Sequence, residues 1–237
     1  MPATRNLLLD SLPRNTADDL LSHLTPVNLA FGEVLYEPGQ QIREVYFPLE
    51  ALVSLLTVVG RLALEVGMVG RDGMVGIPLA LGVAHSPMRV LVQGAGTGLR
   101  MSRARFEAAM LRSPQLRKAL LAYAGTLMAQ IARTAACNRF HVVEARLARW
   151  LLMKRDRSSS AEFATTQEFL SSLLGVRRVG VSEAAATFQR RKLIEYSRGR
   201  IRIVDHAGLE AACCACYGEE PASLPPWRPA AVPSPTS

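Results

Sequence analysis

One stretch constrains this chain more than any other: Thr165 to Val204, TTQEFLSSLLGVRRVGVSEAAATFQRRKLIEYSRGRIRIV. Thr165-Thr166-Gln167-Glu168 has the spacing of a capping box, with Thr165 placed to accept from the Glu168 amide while Glu168 reaches back. Phe169, Leu170, Leu173 and Leu174 supply a packed side. Gly175 then ends the helix, because glycine takes the left-handed C′ conformation cheaply. A second helix is expected from Arg177 to Arg191, with Val181, Ala184, Ala185 and Phe188 on its buried face. Leu193–Tyr196 and Arg200–Val204 read as short strands around a Ser197-Arg198-Gly199 turn. Helix, tight turn, helix and hairpin in that order predict a winged helix-turn-helix, a device for placing one helix in a DNA groove.

Burying the Val181 face leaves Arg177, Arg178, Gly180, Ser182 and Glu183 toward the DNA. Arginine is the usual bidentate reader of guanine. Gly180 costs about 1 kcal/mol of helix propensity relative to alanine, which close approach to the DNA backbone would offset. Arg190 and the wing residues Arg198 and Arg200 are expected on phosphates, which position the protein without reading sequence. Thr165 and Gln167, at the start of the first helix, complete the expected contact set.

The charge distribution agrees. From Val142 to Leu209 there are thirteen Lys/Arg against seven Asp/Glu, so +6 of the net +8 falls in this region. A basic balance of this kind favours a polyanionic partner. No apolar run reaches the roughly 18 residues that a membrane helix needs. The N-terminus lacks the pattern of a secretory signal, so a cytoplasmic, membrane-free protein is expected. No nucleophile, base and orienter can be assembled, which argues against an enzyme. Cys137, Cys213, Cys214 and Cys216 are not spaced as paired CxxC units, and Cys213, Cys214 and Cys216 read as small apolar residues on a terminal helix, with no metal site expected.

Ahead of the DNA-reading stretch, Asn6–Leu24 is helical in pattern, broken at Pro13, with a second start expected at Thr16. Val27 to about Met101 is a series of short β-rich segments separated by Gly and Pro, as in an antiparallel sandwich or barrel. Arg103–Ala136 is a long helical run, interrupted by Pro114 and Gly125. Its Leu116, Leu120, Leu127, Met128 and Ile131 form an apolar band expected to face a second subunit. Glu144–Met153 is another amphipathic helix. Arg155–Ala164 is polar and serine-rich, and is expected to be a loop.

Taken together, GEVLYEPGQQIREVYFPLEALVSLL, GRDGMVGIPLALG and the helix-turn-helix resemble the Crp/Fnr family of bacterial transcription regulators over nearly the whole chain. The resemblance implies an α+β fold with three parts: a β-roll sensor domain with an N-terminal helix over 1–107, a dimerisation helix over 108–140 and a winged helix-turn-helix over 141–217; the tail over 218–237, rich in Pro, Ala and Ser, is expected to be disordered. It implies a homodimer on double-stranded DNA, with RNA polymerase as a further partner. An alternative is a small-molecule-sensing β-roll module whose output is a protein contact.

Two departures from the family pattern concern the ligand. Cyclic-nucleotide-binding members carry Glu after the cassette glycine, where this chain has Ile77 after Gly76. They also carry an Arg-Ser pair, where this chain has Met88, with Arg89 one place on. Cyclic AMP is therefore not expected as an effector. Iron–sulfur members use an N-terminal cysteine cluster, and this chain has no cysteine before Cys137, so no iron–sulfur cluster is expected.

Overall fold

The computed structural model describes residues 6–60, 62–158 and 162–218. The expectation of a disordered tail falls, apart from Gly218, outside those residues. Two short helices, α1 (Leu7–Asp10) and α2 (Arg14–Leu21), open the chain. The second begins after Pro13 rather than at Thr16, because proline at the cap position already fixes the entry and leaves Thr16 inside the first turn.

Seven strands follow: β1 (Thr25–Leu29), β2 (Val34–Tyr36), β3 (Glu44–Pro48), β4 (Leu52–Val59), β5 (Leu62–Val69), β6 (Arg89–Gly94) and β7 (Gly96–Ser102). They form two antiparallel sheets, ordered β1-β7-β3 and β2-β6-β4-β5, with a 3-10 turn at Ile77–Leu81 between β5 and β6. Phe47, Val53, Leu55, Met74, Val92 and Met101 fill the space between the sheets.

The long helical run divides at Ser113. Helix α3 (Arg103–Arg112) stops there, and α4 (Pro114–Phe140) starts with Ser113 as its cap, accepting from the Leu116 amide at 3.1 Å. Proline at the first helical position loses no hydrogen bond, so Pro114 starts a helix here rather than kinking one. Gly125 lies inside α4 without interrupting it.

After α4 come α5 (Val143–Arg157), β8 (Glu162–Ala164), α6 (Gln167–Leu174), α7 (Arg178–Arg190), β9 (Ile194–Ser197), β10 (Arg200–Ile203) and α8 (His206–Ala211). The expected loop at Arg155–Ala164 is partly regular. Helix α5 extends to Arg157, and β8 adds a third strand, giving the order β8-β10-β9. Three residues alternating exposed, buried, exposed around Phe163 are too short a run to stand out as a strand; what creates it is the edge of β10.

The two halves share a wall. Along β4, Val53 and Leu55 point into the β-roll core, whereas Leu52 and Leu56 join Met68 in the core of the helix-turn-helix domain. Glu65 is fully buried at this seam. It accepts from Ser54 Oγ at 2.5 Å, Trp150 Nε1 at 2.9 Å and Gln93 Nε2 at 3.2 Å. Burial nonetheless pushes its carboxyl up to about 7, with the hydrogen bonds from Ser54 and Trp150 opposing the rise. Lys154 lies close by, its ammonium 4.9 Å from the Trp150 ring centre and 4.7 Å from that of Phe163. Burial pulls it down to about 8, against the pull of Glu65. Arg157 and Asp72 close the seam with an ion pair at 2.8 Å, each side chain 15% exposed.

Candidate DNA interface

Helix α6 is capped by Thr166, whose hydroxyl accepts from the Phe169 amide at 3.1 Å; Thr165 is not the cap. Thr165 is 2% exposed and tied into the wing: its amide donates to Gly199 O at 2.8 Å, and its carbonyl accepts from Tyr196 Oη at 3.1 Å. It cannot reach DNA. Two adjacent threonines left the register open by one residue, and the pull of the β-sheet on Thr165 decided it. Gly175 ends α6 at φ +62°, ψ +39°, the left-handed conformation its position requires.

Val181, Ala184, Ala185 and Phe188 of α7 are all buried, each at most 1% exposed. The opposite face carries Arg178, Val179, Glu183 and Arg190 in the open, with Val179 65% exposed. Arg177 is the exposed cap residue just before the helix. Ser182 is half-buried; its hydroxyl donates to Gln167 Oε1 at 2.6 Å and so links α7 to the start of α6. Gly180 lies at the flank. A side chain there would meet Val143 at 3.7 Å, ordinary van der Waals contact, so this glycine faces α5 and not the DNA side. The sequence reading left out Val179 and Gln189. Val179 is apolar and carries no hydrogen-bonding group to mark it as a DNA contact, while Gln189 lies about three turns along α7, far from the residues nearest the helix start.

The wing is a two-residue turn, Arg198 at φ +49° and Gly199 at φ +73°, with Ser197 opposite Arg200. Positive φ at both central residues is the type I′ geometry whose twist matches a hairpin. It presents Arg198 at the tip. Arg200 is exposed but paired with Glu162 at 2.9 Å, and Arg202 with Glu195 at 2.6 Å. Such pairs are weak in water and open readily to a phosphate. Between α7 and the wing lies an open groove of about 460 Å³, lined by Gln167, Arg178, Gln189, Tyr196 and Arg198 among others.

The β-roll chamber contrasts with this groove. Its volume is about 30 Å³, and Tyr36, Met74, Ile77, Met88, Val90 and Leu127 are among its lining residues. Gly76, at φ +97°, turns the chain so that Ile77 is buried. Arg89 points away and pairs with Glu37 at 2.9 Å. A cavity of this size holds a water or two, whereas small-molecule pockets run to some 300 Å³ or more.

The long helix corrects a further expectation. Leu116, Leu120 and Leu127 are 2%, 0% and 5% exposed, buried against the chain's own β-roll, and Ile131 packs partly on the same core. The sheets alone cannot close the roll, so α4 covers it and uses these leucines to do so. Of the expected band only Met128, 65% exposed, faces outward. A different ridge is exposed: Leu121, Met128, Ala132, Ala135 and Arg139, with half-buried Gly125 completing alternating three- and four-residue steps.

Residues 145–212 match the family model described as the Crp-like helix-turn-helix domain. No curated protein sequence matches this one. Among solved structures, FixK2 from Bradyrhizobium japonicum is similar at TM-score 0.69 and 14% identity, covering 81% of this chain and 98% of its own. The c-di-GMP-responsive global regulator CLP of Xanthomonas campestris is similar at TM-score 0.64 and 16% identity, over 81% and 99%. A Crp-family transcriptional regulator from Thermus thermophilus is similar at TM-score 0.64 and 22% identity, over 78% and 95%. The chain thus carries a Crp-like helix-turn-helix domain within the Crp/Fnr fold, N-terminal antiparallel sheets included. Among the described residues no helix is long and apolar enough to cross a membrane.

Proposed function

We propose that this chain is a sequence-specific DNA-binding transcriptional regulator acting as a homodimer. The observation that carries the reading is the outward face of α7, with Arg178, Val179 and Glu183 exposed beside a wing whose tip is Arg198. A helix held this way presents side chains to base edges, and a basic wing supplies phosphate contact. The ridge from Leu121 to Arg139 repeats at coiled-coil spacing and is rich in small residues, which favours close packing against the same helix of a second copy. Two recognition helices would then read half-sites about 34 Å apart. RNA polymerase is the partner such a dimer would meet at a promoter.

Cyclic AMP is not the effector in this reading. The apolar chamber of about 30 Å³ and the pairing of Arg89 with Glu37 support that view. No catalytic role is assigned.

The test is selection of bound sequences from random DNA, followed by titration at varied salt. A regulator yields a roughly palindromic consensus, and log affinity falls with log salt at about −0.9 per neutralised phosphate. Absence of any salt-dependent DNA binding would instead favour a module whose output is a protein contact. Sedimentation addresses the dimer: Met128→Lys should shift the chain to monomer, and a wild-type chain already monomeric at micromolar concentration would reject the ridge.

A further inference from the structure

We propose that Cys137, His141, Cys214 and Cys216 form a tetrahedral zinc site that fastens the C-terminal segment to the end of the long helix. Their ligand atoms all lie within 4.8 Å of one another. Cys137 Sγ is 3.5 Å from Cys214 Sγ, and Cys216 Sγ is 3.7 Å from His141 Nδ1. Zinc ligands at about 2.3 Å for sulfur and 2.0 Å for nitrogen, set tetrahedrally, imply S···S separations of about 3.8 Å and S···N of about 3.6 Å. The side chains already stand at nearly those separations. A disulfide would instead need its sulfurs at about 2.05 Å.

The chemistry of the donor set selects the metal. Thiolates with one imidazole favour zinc over the hard cations, and four protein ligands leave no open position, which marks a structural rather than a catalytic centre. The surroundings fit the charge. Three thiolates and a neutral imidazole around a divalent ion carry a net negative charge. Arg149, 7% exposed, sits beside them and donates to Cys216 O at 3.3 Å and Thr134 Oγ1 at 3.2 Å. Both acceptors are neutral, so an anionic centre would add counter-charge to that of Glu65, which also acts on this buried guanidinium.

The cluster is hidden in the sequence because 77 positions separate Cys137 from Cys214. Cys137 and His141 are one helical turn apart at the end of α4, His141 being its cap residue. Cys214 and Cys216 lie beyond α8, not within a terminal helix as the sequence reading held. The turn brings two alternate cysteines back onto the α4–α5 junction. Cys213 stays outside the cluster, its thiol 3.8 Å from Ala145 O. Zinc here would tie the helix-turn-helix domain to α4 beside the seam with β4 and β5, since Cys137 and Arg149 line one cavity with Glu65 and Met68.

The experiment is elemental analysis of the full chain, purified under reducing conditions without a histidine tag. It should contain about one zinc per chain. Cys137→Ser and Cys216→Ser should each reduce this at least tenfold, while Cys213→Ser should leave it unchanged. Cobalt in place of zinc should give the thiolate charge-transfer band and the intense visible bands of tetrahedral coordination. His141→Cys should keep the metal and shift those bands, which separates loss of a ligand from loss of the fold. A reduced wild-type chain that takes up neither metal overturns the proposal. So does equal loss in Cys213→Ser and Cys216→Ser, or a native Cys137–Cys214 disulfide whose reduction restores no metal uptake.

Discussion

The groove beside α7 and the chamber inside the β-roll are both concave, and they are built on opposite plans. The groove is wide and polar, and its rim is set by arginines on a helix and a turn. The chamber is small and apolar; Ile77 and Met88 help fill it, and Arg89, next to Met88, is paired with Glu37. A polyanion needs exposed charge with loose local pairing, which the first region has. A buried phosphate needs a desolvated cation aimed inward, and the second has none aimed so among the described residues. Possession of a β-roll therefore does not by itself specify a ligand.

The sharpest way to break the comparison is to empty the chamber. Leu127→Ala removes a chamber-lining side chain and should cost about 2–5 kcal/mol of unfolding free energy. Met128→Ala, its exposed neighbour, should change stability little and weaken self-association instead. Chemical denaturation and sedimentation on both variants separate the two, and similar stability losses would mean that Met128 is not on a free face.

A pH series probes the wall behind the chamber. Glu65 is held above its unfolded value, so the stability it contributes is complete below about pH 4.5 and is lost as the pH rises through about 7, by up to about 3 kcal/mol. Glu65→Gln should flatten that segment of the curve. Parallel curves for the two proteins would show that the carboxyl titrates normally.

At the groove, Arg178→Ala should cost about 1–3 kcal/mol on the selected operator and much less on random DNA. The smallest effect is expected from Arg198→Ala, which should weaken both DNAs alike and reduce the salt slope by about 0.9. Equal losses on both DNAs for both variants would erase the distinction between reading and holding.

What could be read in the sequence follows from how local each signal is. The α6–turn–α7 unit rests on contiguous devices, namely Gly175 after an apolar helix and the Val181, Ala184, Ala185, Phe188 spacing, and these lie where expected. Thr165 and Gly180 were misjudged because each depends on a partner outside the unit, the wing carbonyl of Gly199 and the α5 side chain of Val143. The leucines of α4 were assigned to a second subunit because an apolar helical face does not announce which surface will cover it. The short strand β8 and the seam at Glu65 are tertiary in origin, with no periodic signature of their own.

Strand β4 carries one last implication. Its alternate residues belong to two hydrophobic cores, so the β-roll and the helix-turn-helix domain cannot melt independently. A calorimetric scan should give a single endotherm for the intact chain. Residues 141–217 produced alone would leave Trp150 and Leu174 facing solvent where β4 and β5 had covered them, and such a fragment should aggregate. For the gene encoding this chain, the boundary between the β-roll and the helix-turn-helix domain is a poor place for recombination to cut.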